Sequence, residues 1–150
     1  MGFSWDLSRP MKLARIAAIV FGIYLALGLV LDAAIGYFQP QRGNTAVLRT
    51  FDPDGQQPRE TVLGLLDDHS QLWVESGHWW KGWYHRVQAN PNVELIRDGV
   101  AKPYHAVPVD SDAALDTVTR LMGKGTSARY WVGRAVLLWA PIRPVRLDPR

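Results

Sequence analysis

No cysteine occurs in the chain, which removes disulfides, thiolate catalysis and cysteine-based zinc sites together and leaves the compartment open. The four histidines, His69, His78, His85 and His105, show no close ligand spacing and no accompanying carboxylate pattern, so a metal centre has no motif behind it. Ser, His and Asp are all present, but no G-x-S-x-G turn occurs to support hydrolysis. Clustered positive charge is also missing. From Gly43 onward thirteen Lys and Arg stand against twelve Asp and Glu, which gives no nucleic-acid footprint. Arg129, Arg134, Arg143, Arg146 and Arg150 make the C-terminal end basic, either as a solvated face or as a contact for anionic lipid head groups. Strands alternating with helices of adequate length are absent as well, which argues against a parallel α/β sheet.

One long apolar run is present. The sixteen residues from Ile16 to Leu31 carry no charge, and extension to Phe38 adds only Asp32. Such a helix spans about 35 Å, enough for a bilayer core. Arg9, Lys12 and Arg15 precede the run, and Tyr37 and Phe38 stand where an interfacial aromatic belt would. A cleaved signal peptide is the competing reading, but Leu31-Asp32-Ala33-Ala34 lacks the small residue that a cleavage site wants at its first position. The division expected is therefore a membrane segment over 1–38, a linker over 39–44 and a barrel domain over 45–150, in a single-pass protein of the cell membrane. Ala14, Ala18, Gly22 and Ala26 form a small-residue stripe that suits a homodimer or a membrane-complex partner, although Ala and Gly are common in any membrane helix. Asp32 is near enough to the end of the span to reach the interface.

The remaining residues read as strands. Ala46–Thr50, Thr61–Leu66 and Gln71–Glu75 are short apolar runs, the last two joined by the turn-rich Asp67-Asp68-His69-Ser70. Val93–Arg97 and Val100–Val107 flank Asp98-Gly99, the strongest hairpin dipeptide in the chain. Pro103 and Pro108 push the second of these strands toward a sheet edge. Ser111 caps a helix whose Leu115, Val118, Leu121 and Met122 share a face before Gly123 ends it. A last strand is expected over Ala135–Ala140, stopping at Pro141 and resuming around Val145–Leu147. Five or six antiparallel strands with two small helices describe a compact α+β barrel.

Trp83-Tyr84-His85-Arg86-Val87-Gln88-Ala89-Asn90-Pro91-Asn92-Val93-Glu94 joins a short aromatic helix directly to a strand. It resembles the W-Y-x-N-L-x-A-N-P-x-V-x-V segment of the deazaflavin-dependent nitroreductase and quinone reductase family, with Arg86 where the family usually has Asn. That resemblance implies a mostly antiparallel split β-barrel that uses coenzyme F420 as a hydride donor to nitro compounds, quinones or unsaturated substrates. The family's T-T-G-R-K-x-G-x-x-R loop, whose basic side chains and amides hold the coenzyme phosphate, corresponds to Arg49-Thr50-Phe51-Asp52-Pro53-Asp54-Gly55-Gln56-Gln57-Pro58-Arg59. Pro53 and Asp54 replace its Arg-Lys pair, which removes charge-assisted hydrogen bonds and adds repulsion. The residues implied for the coenzyme are then Arg59, Ser76, Gly77, Trp83 and Arg86. Tyr84 and Trp80 are those implied for a lipophilic acceptor such as a menaquinone. Trp79, Trp80, Trp83 and Tyr84 supply flat apolar surface for a ring, or alternatively are barrel core. Asn90-Pro91 reads as structural, an Asn at a helix end followed by a Pro that stops it. Three functions stay open: an F420-dependent oxidoreductase, a degenerate barrel acting as a binding or assembly module, and a barrel for FMN or haem. Charge bias places the barrel outside the cell, whereas reduced deazaflavin is expected inside; Arg42 and Arg49 on the other flank make the bias modest.

Overall fold

The computed structural model describes residues 8–38, 44–77 and 82–150. Helix α1, Ser8–Phe38, contains the apolar run Met11–Leu31, long and apolar enough to cross a membrane. The strands are β1 Thr45–Thr50, β2 Arg59–Gly64, β3 Leu66–Asp67, β4 Leu72–Ser76, β5 Asn92–Arg97, β6 Val100–Pro108 and β7 Arg143–Pro149. Between them lie α2 Gly82–Ala89, α3 Asp112–Leu121 and α4 Ala128–Val136. All seven strands form one antiparallel sheet in the order β2-β1-β5-β6-β7-β4-β3. The sheet curls until β2 contacts β4, giving the split barrel.

The two-residue period of a strand sorts the side chains between the two faces. On β1, Ala46, Leu48 and Thr50 are buried, the first two in a core that also takes Val74, Val93, Val145 and Leu147. Helix α2 inserts Trp83 and Val87, one turn apart, together with Tyr84 into that same core. On β4 the neighbours part company: Val74 enters the main core, while Trp73 faces outward to pack with Ala114 and Val118 of α3.

Local signals account for much of this. Asp98 and Gly99 adopt φ of 52° and 77°, as a tight β5–β6 turn requires. The Ser111 hydroxyl accepts from the Ala114 amide at 3.3 Å, and Gly123 follows α3 with φ of 93°. Asp68 closes the turn before β4 by accepting from the amides of Ser70 and Gln71.

Four expectations are corrected. The run Thr61–Leu66 is split at buried Leu65, so β2 pairs with β1 at one end of the sheet while β3 pairs with β4 at the other. Strand β6 is interior, between β5 and β7. Its prolines are tolerated for reasons of parity. The Ala106 amide donates to Pro91 on the β5 side, so the missing N–H of Pro103 faces β7 near its end, and that of Pro108 faces β5 beyond its start. Residues 135–140 are not a strand: they complete α4 and the turn after it. Ser127 caps α4, its hydroxyl accepting from the Arg129 amide at 3.2 Å. Arg134 then folds back, donating to the carbonyls of Trp139, at 3.1 Å, and of Ala140. The described residues thus hold three small helices rather than two.

Candidate functional site

Helix α2 and the loop between β1 and β2 meet at one end of the barrel. The helix stops at Ala89, just before Asn90-Pro91, as expected of that join, and the Asn90 side-chain amide also donates to the Asp52 carbonyl at 2.9 Å, pinning the loop to the end of α2. Thr50, fully buried, points inward toward α2, and its hydroxyl accepts from Arg86 Nε at 2.7 Å and donates to the Arg59 carbonyl at 3.2 Å. Arg86 is anchored through Nε. Gly82, one turn earlier, leaves room beside Nη1, since a Cβ there would lie 3.2 Å from it.

Arg86 and Arg59 are close enough for their charges to oppose one another. The Arg86 pKa is held below its ordinary value, first by burial and then by the Arg59 charge. Among the described residues no carboxylate forms an ion pair with either guanidinium. Arg49 differs. It lies between Glu60, at 2.8 Å, and Glu94, at 2.6 Å, on the outer face of the sheet.

The loop has also used some of its own anion-binding capacity. The Asp52 carboxylate accepts from the amides of Gln56, at 2.8 Å, and Gln57, at 3.3 Å. A carboxylate of the chain thus occupies donors that an exogenous phosphate would otherwise find. Gly55, with φ of 73°, makes this closure possible.

Ser76 ends β4, almost wholly buried and opposite Arg143 of β7. The Arg143 guanidinium lies 5.4 Å from the centroid of the Tyr84 ring, so β7 and α2 connect the Ser76 turn to the Arg86 end. Trp83 and Tyr84, 3% and 8% exposed, are part of the barrel core. Trp80 lies outside the described residues. Gly77 borders a cleft of about 480 Å³, which Asn44, Leu65 and Glu75 line on the barrel side and Met122, Tyr130 and Arg134 on the helical side. Among the described residues a Cβ on Gly77 would meet only a Glu75 carboxylate oxygen, at 3.7 Å, so their packing does not require the glycine.

The wall formed by α4 was missed in the sequence because 135–140 reads as an apolar strand. Its signal was the Ser127 cap followed by Tyr130, Gly133, Arg134 and Leu137, which recur at three- and four-residue intervals.

The family model of the F420H(2)-dependent quinone reductases matches residues 31–135. No curated protein sequence matches the chain. Solved structures similar to it include an F420-H2 dependent reductase, FDR-A, at a TM-score of 0.54 and 15% identity, covering 70% of this chain and 94% of that one. The haem storage protein HutZ from Vibrio cholerae gives 0.54 and 20% identity over 73% and 84%. A chain described as a domain-swapped dimer gives 0.55 and 14% identity over 93% and 99%. At these identities the structures establish the split-barrel fold and nothing of the chemistry. The family model covers well over half of the chain, F420 is the coenzyme expected of that family, and the chain belongs to the F420H(2)-dependent quinone reductase family.

Proposed function

We propose that the protein is a membrane-anchored oxidoreductase that passes a hydride from reduced F420 to a lipophilic quinone. The observation that carries this reading is Arg86, anchored through Nε on buried Thr50, with the Arg59 charge near enough to oppose its own and, among the described residues, no carboxylate in an ion pair with either. Such a pair fits the phosphate-bearing arm of a deazaflavin coenzyme, because each guanidinium offers several donors to phosphate oxygens. It stands in for the basic pair that Pro53 and Asp54 displace.

When bound, the coenzyme supplies the hydride chemistry. The chain's own residues bind, orient and exclude water. Arg59 and Arg86 fix the anionic end. The Ser76–Gly77 turn, with no side chain at Gly77, leaves space for a flat ring at the cleft, and Trp83 stiffens the core behind α2. A lipophilic acceptor enters the same cleft; Tyr84 and Trp80, the contacts that the family resemblance implies for it, stay proposals and are not among the described residues that line that cleft. Anchoring by α1 keeps that acceptor near at hand, and its small-residue stripe, with open space at Gly22, leaves a face free for a homodimer. The domain-swapped chain of similar fold is in keeping with such pairing.

The test is a titration of the detergent-solubilised full chain with oxidised and reduced F420, followed by quenching of Trp emission. Saturable binding that Arg86→Ala and Arg59→Ala each weaken supports the reading. Folded protein that binds no coenzyme overturns it. That outcome favours the second reading, a barrel retained as an assembly module, which the Asp52 closure of the loop supports independently.

A further inference from the structure

Helix α4 has two faces. Tyr130, Gly133, Arg134 and Leu137 turn inward and line the cleft. Trp131 and Val132 turn outward, 48% and 62% exposed, and the turn after the helix adds Trp139, 55% exposed. The two indole rings lie 6.2 Å apart and make one patch, with exposed Val132 next to Trp131 in the chain. Contiguous exposed apolar surface of this kind marks a place of contact. The turn is also held open. Leu138 and Trp139 both adopt left-handed backbone, φ of 53° and 55°, which bulky residues avoid. Arg134 secures that geometry through its hydrogen bonds to the carbonyls of Trp139 and Ala140, with its guanidinium 5.9 Å from the Trp139 ring centroid.

The neighbour of the patch identifies its occupant. Helix α1 touches the same segment: the Tyr24 hydroxyl donates to the Ala135 carbonyl, and Leu138 fills the space a side chain on Gly28 would need, 2.8 Å from such a Cβ. Otherwise the run Met11–Leu31 is almost entirely unburied. Tyr24 and Gly28 both lie within that run. The end of α4 and the turn after it therefore lie beside the apolar stretch itself, at the level of the lipid. Exposed Trp side chains next to a membrane-crossing helix suit the interfacial layer, where Trp concentrates.

We infer that Trp131, Val132 and Trp139 dip into the interfacial layer of the bilayer that α1 crosses. The domain is then held to the lipid at two points, and the helix that walls the cleft lies against the membrane with its outer face. The cleft is thereby offered to an acceptor diffusing in the lipid. The inference rests on the membrane reading of α1 given above.

Because the chain has no cysteine, Val132→Cys introduces a single labelling site. The full chain carrying a polarity-sensitive fluorophore there is reconstituted in phosphatidylcholine–phosphatidylglycerol vesicles containing lipids brominated high on the acyl chain. The same label at Asp98→Cys, on the exposed β5–β6 turn, is the reference. Quenching at position 132 at least threefold greater than at 98 supports the inference. Equal quenching in protein that resists alkaline carbonate extraction overturns it and leaves the anchor standing. Extraction by carbonate removes the anchor and the inference together. Quantitative disulfide formation between copies through unlabelled Val132→Cys also overturns it, by making a second chain the occupant.

Discussion

Arg49 and Arg86 reach the two faces of one sheet and have opposite fates. Arg49, on the outer face, is held by two glutamates from the strands on either side, whereas Arg86, approaching from the core side, finds a hydroxyl and a second arginine. Paired charges on an exposed face fix register at little energetic gain. A pair of like charges with no counter-ion costs stability, and marks a candidate place for an anion from outside the chain. The contrast separates a structural Arg49 from an Arg86 whose binding role is the one proposed above, a difference that cation identity alone does not show.

The largest expected effect comes from breaking the unpaired side. Hydrogen bonds between charged groups are worth roughly 1.5–3 kcal/mol each, so Arg86→Ala should weaken F420 binding by about 10- to 100-fold, read as the change in Kd. Arg59→Ala should do the same to a similar degree. Raising the salt concentration should weaken the wild-type complex more than either variant, because the variants have less charge to screen.

A gain of affinity is the next expectation, because the loop is occupied by its own carboxylate. Asp52→Asn lowers the negative charge competing for the amides of Gln56 and Gln57. Combined with Pro53→Arg and Asp54→Lys, which restore the basic pair, it should tighten F420 binding about tenfold, the value of one added charge-assisted contact. If affinity falls instead, the loop is too rigidly tied to Asn90 for the older route to be recovered.

Arg49→Gln sharpens the comparison from the paired side. It should leave the Kd for F420 unchanged while loosening the β1–β2 and β1–β5 pairing, read as faster amide exchange at the sheet end. A loss of affinity equal to that of Arg86→Ala would erase the distinction between the two arginines.

How far this contrast was legible beforehand depended on whether the relevant signal was local. Asp98-Gly99 and Ser111 each act on the next few residues, and both elements formed where expected. The aromatic helix and its Asn-Pro ending were likewise visible. Parity in β6 was not, because it depends on which neighbour each proline faces. The sequence could not reveal whether Arg49 or Arg86 would find a carboxylate, since Glu60 and Glu94 approach Arg49 only once three strands are in register. The α4 wall was hidden by its apolar composition and by a turn built from left-handed Leu138 and Trp139, where no glycine announces a helix end.

The smallest effect tests a paired charge three strands away from β1. On β7, Arg146 donates to Asp148 at 2.7 and 2.8 Å. This contact is the main reason the Asp148 carboxyl is held below its ordinary value of 3.8 and Arg146 above its own. A carboxyl whose pKa is depressed by folding contributes stability above its unfolded value, and loses it as pH falls through the lower folded value. Asp148→Asn should therefore lower the thermal midpoint modestly at pH 7, and the gap between variant and wild type should close as pH drops below 3.8. F420 affinity at pH 7 should not change. A variant that lost coenzyme while keeping its fold would show that paired charges also reach the ligand, and the division of labour drawn from Arg49 and Arg86 would not hold for the sheet as a whole.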